Sequence, residues 1–272
     1  AVDPAVHPLG GEKFLDFGLL QSLDRATRLP PEDVWLAGDP VAYYYGGHLL
    51  TATLADLTST APRYAYNLSL AGFYATLVSA AYGLAGAVAR DRADSWRPAG
   101  LAAAFFVGVA SNLVTGFRLL VGVLPRPLRT DLAAVVAART RYPTDALLSG
   151  LDSFSYWTAS RVIPGTINEF PLFAWLNGDL HAHMMSTGFL IFVAALCFSY
   201  YQTPAAERRR RLALLVGCLP ALAGLVAVTN TWSFPSVAGL AMLTVAVAPA
   251  DPTTLLPTGV SGISGVITIS FG

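Results

Sequence analysis

The segment MMSTGFLIFVAALCFSYYQ, residues 184–202, decides the fold class, because it is apolar along nearly its whole length and carries no charged side chain. A helix needs roughly 20 mostly apolar residues to cross the hydrocarbon core of a bilayer. The segment meets that length, and it follows directly on the polar run NGDLHAH, residues 177–183. We therefore predict a membrane-spanning helix that begins beside a group of polar side chains.

The composition of the whole chain agrees with that segment. Of its 272 residues, 54% are hydrophobic and only 12% are charged, whereas an ordinary soluble domain carries about 25% charged residues. The formal net charge is zero, so no overall field would recruit nucleic acid. We expect membrane lipid as the surroundings of this protein and no nucleic-acid partner.

Further apolar stretches predict a polytopic, all-α membrane protein. Including the first segment, the predicted spans are 65–89, 98–125, 184–202, 212–228 and the shorter 234–249. The run 47–59 has a helical pattern but is too short to cross, so we expect it to be half-inserted or to lie on the surface. The prediction is a single membrane domain over residues 1–272, with about five spans, short interfacial helices and the character of a fragment of a longer chain.

Arginine placement predicts the orientation. The loop 90–97 contains three arginines, and the loop 203–212 contains four in succession, Arg208 to Arg211. Short loops rich in arginine and lysine stay on the cytoplasmic side. Alternating the spans then places residues 1–64 and 126–183 on the extracytoplasmic side of the cell membrane. Both motif-bearing regions are thus expected on one side.

The first of these regions offers two carboxylates and an aromatic run. Glu12 and Asp16 are four residues apart, so on a helix they share a face. Such a pair can bind a divalent cation or act as a general base; the alternative is a solvated amphipathic helix. The run YYYGGH adds Tyr43, Tyr44, Tyr45 and His48. Tyrosines are typical of the lipid interface, and they can also stack on a sugar or an isoprenoid.

The second region offers metal-ligand types at alternating positions. Asp179, His181 and His183 would share a face if the segment were extended, and carboxylate with imidazole suits zinc or manganese, with magnesium as a further candidate. The alternative is that Asp179 stabilises the start of the following helix through its dipole. These residues are the predicted metal ligands if a divalent metal is a cofactor.

Glu169 is a third catalytic candidate, because it lies in a run with almost no other charge. A carboxylate in such surroundings needs a raised pKa or a partner, and Arg161 is the nearest counter-ion in the sequence. Asn168 precedes Glu169, and Trp175 follows it. In the turn TNTWSFP, residues 229–235, Asn230 and Trp232 could line the same cavity or form an interfacial turn.

Taken together, GGEKFLDFGLL, PPEDVWLAGDPVAYYYGGHLL, SRVIPGTINEFPLFAWLNGDLHAH and TNTWSFP resemble one family over nearly the whole chain. It is the archaeal and chloroflexal YYY membrane-protein family, of unknown function and named for its tyrosine triplet. That family is remotely similar to the GT-C superfamily of membrane glycosyltransferases, which take a sugar from a polyprenyl-phosphate carrier on the outer side of the membrane.

The resemblance implies a role for each candidate. Asp16 would be the base and Glu12 would assist it, while Asp179, His181 and His183 would hold a metal or contact the donor phosphate. Arg161 would pair with that phosphate. The tyrosines, Trp157 and Trp175 would pack on sugar or prenyl groups. The alternatives are a metal-dependent membrane hydrolase, a transporter, or a non-enzymatic membrane assembly subunit.

Overall fold

The structure, a computed structural model, describes residues 5–7, 11–90, 92, 95–110, 112–139, 144, 148, 155–163 and 165–256. Within these ranges the chain is helical, and its only bridge of β type joins Glu32 to Pro40. The helices are α1 Lys13–Arg25, α2 Gly46–Thr58, α3 Pro62–Arg90, α4 Arg97–Gly108, α5 Leu113–Gly122, α6 Arg126–Arg139, α7 Pro171–Asn177, α8 Ala182–Gln202, α9 Arg208–Thr229 and α10 Phe234–Val247. Short 3₁₀ turns occupy Tyr156–Arg161, Thr231–Ser233 and Pro252–Leu255.

Among the described residues, three helices are long and apolar enough to cross a membrane: α3, α8 and α9. They contain the predicted spans 65–89, 184–202 and 212–228, so the all-α membrane class is confirmed. The predicted span 98–125 is not one straight helix. It is divided into α4 and α5, whose axes are bent by 94°. The predicted span 234–249 corresponds to α10, which is shorter than the other three.

The break between α4 and α5 has a polar anchor. The side chain of Asn112 accepts a hydrogen bond from the Val114 N–H and so caps the start of α5. Its amide nitrogen also donates to the carbonyl of Ala159, 2.6 Å away. Asparagine is among the best N-cap residues. Asn112 therefore fixes the start of α5 within a stretch whose apolar composition predicted one continuous helix.

Glycines allow α4 to pack closely against α3. A side chain at Gly100 would collide with Tyr82, and one at Gly108 would collide with Val78. The hydroxyl of Tyr74 donates to the Gly108 carbonyl at 3.0 Å. Small residues of this kind let helices in a membrane approach each other. Helix α4 accordingly runs antiparallel to α3 and ends beside Tyr74.

The helices α8, α9 and α10 form a second packed unit. Its core consists of Val193, Cys197, Leu219, Leu222, Val226 and Val237. At one end of the unit, the fully buried Arg211 donates to the carbonyls of Ala250 and Asp251. Since these residues follow α10, the chain after α10 has returned to the level at which α9 begins.

At the opposite end, the start of α3, the start of α8 and the end of α9 lie together. The Leu180 N–H donates to the hydroxyl of Tyr66, 2.8 Å away. The Asn230 amide donates to the hydroxyl of Ser186 at 3.3 Å. Helix α2 begins against the end of α9 and finishes a few residues before α3, so both of its ends lie at this end of the bundle. Helix α2 therefore runs along the bundle end, in agreement with the surface-lying helix predicted for 47–59.

Candidate functional site

Two glycines set the position of α2. A side chain at Gly46 would collide with the carbonyl of Val228, and one at Gly47 would collide with the sulfur of Met185. The first turn of α2 therefore packs directly on the end of α9 and the start of α8. This contact explains the glycines in YYYGGH, and it brings the first motif-bearing region against the second.

Helix α1 completes the contact between the two regions. Its buried Leu19 and Leu20 share a core with Tyr66, Leu180 and Met185. With α1 held there by apolar packing, its polar face is turned toward residues 169–183. The carboxylates and imidazoles of Glu12, Asp16, His48, Glu169, Asp179, His181 and His183 are gathered in this region, and we call them the acid–histidine cluster.

The innermost pair of the cluster is Asp16 with His48. The Nε2 atom of His48 lies 3.4 Å from the Oδ1 atom of Asp16, and both side chains are almost completely buried. A buried carboxylate is costly unless it has a partner. Asp16 and His48 contact each other inside the protein without a hydrogen bond between them, and neither is open to a ligand in this structure, although His48 was predicted to contact one.

Two further pairs lie closer to the surface. The Nδ1 atom of His181 lies 3.0 Å from the Oε2 atom of Glu12, and the Nε2 atom of His183 lies 3.3 Å from the Oε2 atom of Glu169. The two imidazole rings are adjacent, with centroids 4.6 Å apart. Glu12 is 53% exposed in its side chain. The outer part of the cluster thus presents two carboxylate–imidazole pairs side by side.

Asp179 occupies a more enclosed position. Its carboxylate packs on the backbone of Gly11, accepts a hydrogen bond from the Asn177 amide at 2.6 Å, and accepts another from the Glu12 N–H. Burial raises the pKa of the Asp179 carboxyl and the charge of Asp16 adds to this, while the charge of Lys13 opposes it. Gly11 has a positive φ of 59°, at which a side chain would be strained. Glycine is therefore required both by this backbone conformation and by the close approach of the Asp179 carboxylate.

The three predicted metal ligands have separate partners. Asp179 bonds to Asn177, His181 contacts Glu12, and His183 contacts Glu169. Helix α8 begins at Ala182, so His183 lies within the helix and the extended stretch that the alternating pattern requires ends at His181. Within the described ranges, no group of three or more histidine, cysteine, aspartate or glutamate side chains has metal-holding geometry. The divalent metal stays a prediction.

Arg161 lies over an aromatic ring rather than beside Glu169. Its guanidinium carbon is 4.7 Å from the centroid of the Trp157 ring, and it donates to the hydroxyl of Ser160 at 2.7 Å. The side chain is exposed. Asn168 shapes the same loop, because its N–H donates to the Ser160 carbonyl and its side chain accepts from the Ile163 N–H.

The aromatic candidates divide between the site and the core. Tyr43 stacks on Tyr44 with ring centroids 4.1 Å apart. Burial raises the pKa of the Tyr43 phenol, and Tyr44 and the charges of Asp16 and Glu12 raise it further, so Tyr43 borders the cluster. Tyr45 and Trp175 pack against the core of α1 and α3, which favours a structural role for both.

The predicted residues in the turn after α9 behave differently from each other. Asn230 is buried and its amide bonds to Ser186 and Ser233, so it ties the turn to the first turns of α8. Trp232 is 81% exposed. An exposed tryptophan at the end of a membrane bundle is typical of the interface.

Comparison with known proteins supplies the family. A sequence model described as "Uncharacterized membrane protein (DUF2298)" matches residues 1–270. The chain belongs to the DUF2298 family. Neither the curated proteins nor the solved structures include a match to it. This DUF2298 protein is thus an integral membrane protein, and membership of a membrane family of unknown function is confirmed. The archaeal and chloroflexal range and the GT-C similarity stay predictions.

Sequence reasoning missed two residues, Lys13 and Tyr66, that shape the site of this DUF2298 protein. Lys13 lies beside Gly178 and lowers the pKa of Asp179 by its charge. Tyr66 receives the Leu180 N–H between two cluster residues. The sequence did carry a signal for Lys13, because it is a cation next to Glu12 in a chain with few charges. The apolar surroundings of Tyr66 give no such signal.

Proposed function

We propose that this protein is an outward-facing membrane glycosyltransferase that transfers a sugar from a polyprenyl-phosphate carrier to an acceptor hydroxyl. The proposal joins the GT-C resemblance to one observation. Carboxylates and imidazoles from two distant segments meet at one end of a bundle of membrane-crossing helices. Ionisable groups collected at such a position are functional candidates by default.

A lipid-linked donor requires this combination. Its isoprenoid tail belongs in the hydrocarbon core, and its phosphate and sugar belong at the polar surface. A site for it must therefore lie where spanning helices end, and it must provide both polar groups and apolar surface. The acid–histidine cluster stands where α3 and α8 begin, which supports the proposal.

We assign the general-base role to Glu12 rather than to Asp16. Glu12 is half-exposed and contacts His181, whereas Asp16 is buried against His48. In the proposed step, the acceptor oxygen forms a bond to the anomeric carbon, the bond from that carbon to the phosphate oxygen breaks, and the acceptor proton passes to Glu12. Polyprenyl phosphate leaves with the electron pair. A positioned base accelerates such a step by about 10²–10⁴-fold.

Arg161 is our candidate for the donor phosphate. Its exposed guanidinium is held over Trp157 and by Ser160. Arginine binds phosphate through paired hydrogen bonds, and a guanidinium fixed in advance loses less freedom on binding. Asp16 and His48 would have a positioning role, because their contact joins α1 to α2 and so holds Glu12 in place at the start of α1.

We also propose the sidedness of the bundle. The four arginines at the start of α9 favour the cytoplasmic side for that end, which leaves the acid–histidine cluster outside. Because Arg211 binds carbonyls that follow α10, we take α10 as a crossing of its own. Maleimide labelling of single cysteines at Thr231 and Ala205 in whole cells tests this. We expect the reagent added outside to label residue 231 and not residue 205. Labelling of residue 205 alone would show that the orientation is the opposite of the proposed one.

The function is tested by deleting the gene and restoring variants. Loss of a lipid-linked or surface glycan in the deletion strain, with accumulation of its donor, is the expected result. Glu12→Gln should fail to restore the glycan, with transfer reduced by about a hundredfold or more. Glu207→Gln, a carboxylate variant at the opposite end of the bundle, is the matched control and should restore it. Unchanged glycans in the deletion strain would refute the proposal.

A further inference from the structure

An apolar groove of about 420 Å³ runs between α2, α3 and α8. Its walls include Leu50, Leu54, Leu68, Gly72, Phe73 and Phe189. Phe73 and Phe189 meet edge to face at 5.9 Å. Along α3 the lining extends from Ala65 to Thr76, which is about 16 Å of helix at 1.5 Å per residue. The groove therefore begins under α2 and follows α3 into the apolar part of the bundle.

Three of the five hydroxyl-bearing residues that line the groove donate their hydroxyls to carbonyls of their own helices. Thr51 donates to the Gly47 carbonyl, Thr58 to the Leu54 carbonyl and Thr76 to the Gly72 carbonyl, at 3.1, 2.7 and 2.9 Å. Each hydroxyl is thereby satisfied within its own helix. With these hydroxyls satisfied and the rest of the lining mainly apolar, the groove is suited to hydrocarbon rather than to a polar ligand.

The wall of the groove lies close to part of the acid–histidine cluster. Thr51, on its wall, lies one helical turn after His48. Ala65, also on the wall, precedes Tyr66, whose hydroxyl receives the N–H of Leu180. Leu180 stands between Asp179 and His181. A chain seated in the groove would therefore carry its head to the cluster.

We propose that this groove holds the hydrocarbon tail of the lipid-linked donor, and this inference rests on the proposed function. The size excludes a protein helix as the occupant, since a helix of about 10 Å diameter and 16 Å length fills over about 1,200 Å³. A single hydrocarbon chain is much thinner. The nearness of the groove wall to His48 favours the donor tail over an ordinary bilayer lipid as the occupant.

Gly72 provides the test. No described atom lies within 4 Å of the position that a Cβ on Gly72 would take, so a side chain can begin there, and Gly72→Leu places a bulky group in the groove. Gly83 lies on the same helix with the same open surroundings but does not line the groove. Gly83→Leu is therefore the matched control, and both changes favour the helix.

The experiment uses the full chain in proteoliposomes and a polyprenyl phosphate that carries a diazirine in its tail. Ultraviolet labelling should map to residues 65–76, and unlabelled polyprenyl phosphate should compete. Gly72→Leu should weaken labelling about tenfold, as expected when roughly two buried methylene groups lose their place. Gly83→Leu should label as the unaltered protein does.

Three results would overturn the inference. They are labelling outside the groove, equal and uncompeted labelling by a diazirine phosphatidylglycerol, and unchanged labelling of Gly72→Leu. The outcome is separable from that of the proposed function. Groove labelling lost in Gly72→Leu, together with intact glycans in the deletion strain, would keep the lipid site and refute the transferase. Full glycan transfer by Gly72→Leu with unchanged labelling would refute the groove alone.

Discussion

The imidazole of His48 faces the carboxylate of Asp16 across 3.4 Å, and both side chains are shielded from solvent. The two residues come from different helices, α1 and α2. Their polar contact joins the same two helices that Leu19, Leu20 and Ala52 join through apolar packing.

Removing His48 should destabilise the protein strongly. His48→Ala leaves a cavity and a buried carboxylate without its partner, for which we expect a loss of about 3–5 kcal/mol in the free energy of unfolding. Thermal unfolding in detergent measures it. Asp24→Asn, an exposed aspartate on the same helix as Asp16, should change stability by less than about 0.5 kcal/mol. Equal effects of the two variants would contradict the buried pair.

Adding one methyl group at Gly46 should separate α2 from α9. The Cβ of Gly46→Ala would lie 2.7 Å from the Val228 carbonyl oxygen, so backbone must move. We expect a loss of about 1–3 kcal/mol, as for overpacking in a tight core. Gly83→Ala, where the Cβ meets open space, should be neutral or slightly stabilising. A Gly46→Ala variant as stable as the unaltered protein would show that α2 does not pack closely on Val228.

Residues 12 and 181 should be close enough to be joined chemically. Cysteines placed at Glu12 and His181, in a chain with Cys197 and Cys218 replaced, should react together with a short bis-maleimide, because the native side chains are 3.0 Å apart. Mass spectrometry of the digested protein detects the crosslink. The pair Glu12→Cys and Glu207→Cys, at opposite ends of the bundle, is the control. The arrangement would be disproved if cysteines at residues 12 and 181 formed no crosslink while the control pair at residues 12 and 207 did.

The stability of the protein should depend on Asp179 at acidic to neutral pH. Burial raises the pKa of its carboxyl above the ordinary 3.8. Above pH 3.8 the unfolded chain loses this proton first, so rising pH favours unfolding until the folded carboxyl ionises. This contribution to stability is present below pH 3.8 and declines across that window. Asp179→Asn should remove the decline, as seen in unfolding temperatures over a pH series. An unchanged slope would contradict the raised pKa.

The sequence predicted the membrane class because a long apolar run without charge has few other uses. It could not predict the break after α4, since Val109 and Ala110 are as apolar as a continuous span requires. The break depends on the bonds of Asn112 to Val114 and to the distant Ala159. Hydropathy measures whether a segment prefers lipid, and it does not measure whether the segment is straight.

The sequence, through its arginine positions, predicted that both motif-bearing regions lie on one side of the membrane, which stays a prediction. It did not predict the pairing within the cluster. Glu169 contacts His183 rather than Arg161, and Glu12 contacts His181. Which acid meets which imidazole is decided by where α8 begins and by how α1 packs on α3. Both are tertiary properties, and neither is encoded in local spacing.

The packing of Gly46 and Gly47 against Val228 and Met185 has a consequence for biosynthesis. The N-terminal helices leave the ribosome long before their docking surface exists. At about 5–20 residues per second, His181 is made roughly ten to thirty seconds after Glu12. During that interval Glu12 lacks the imidazole that it contacts in the folded protein, whereas the partner of Asp16, His48, follows it closely in the chain. The polar cluster is therefore among the last parts of the molecule to mature, and a chain arrested before α9 would hold every acid of the cluster without the ordered framework around them.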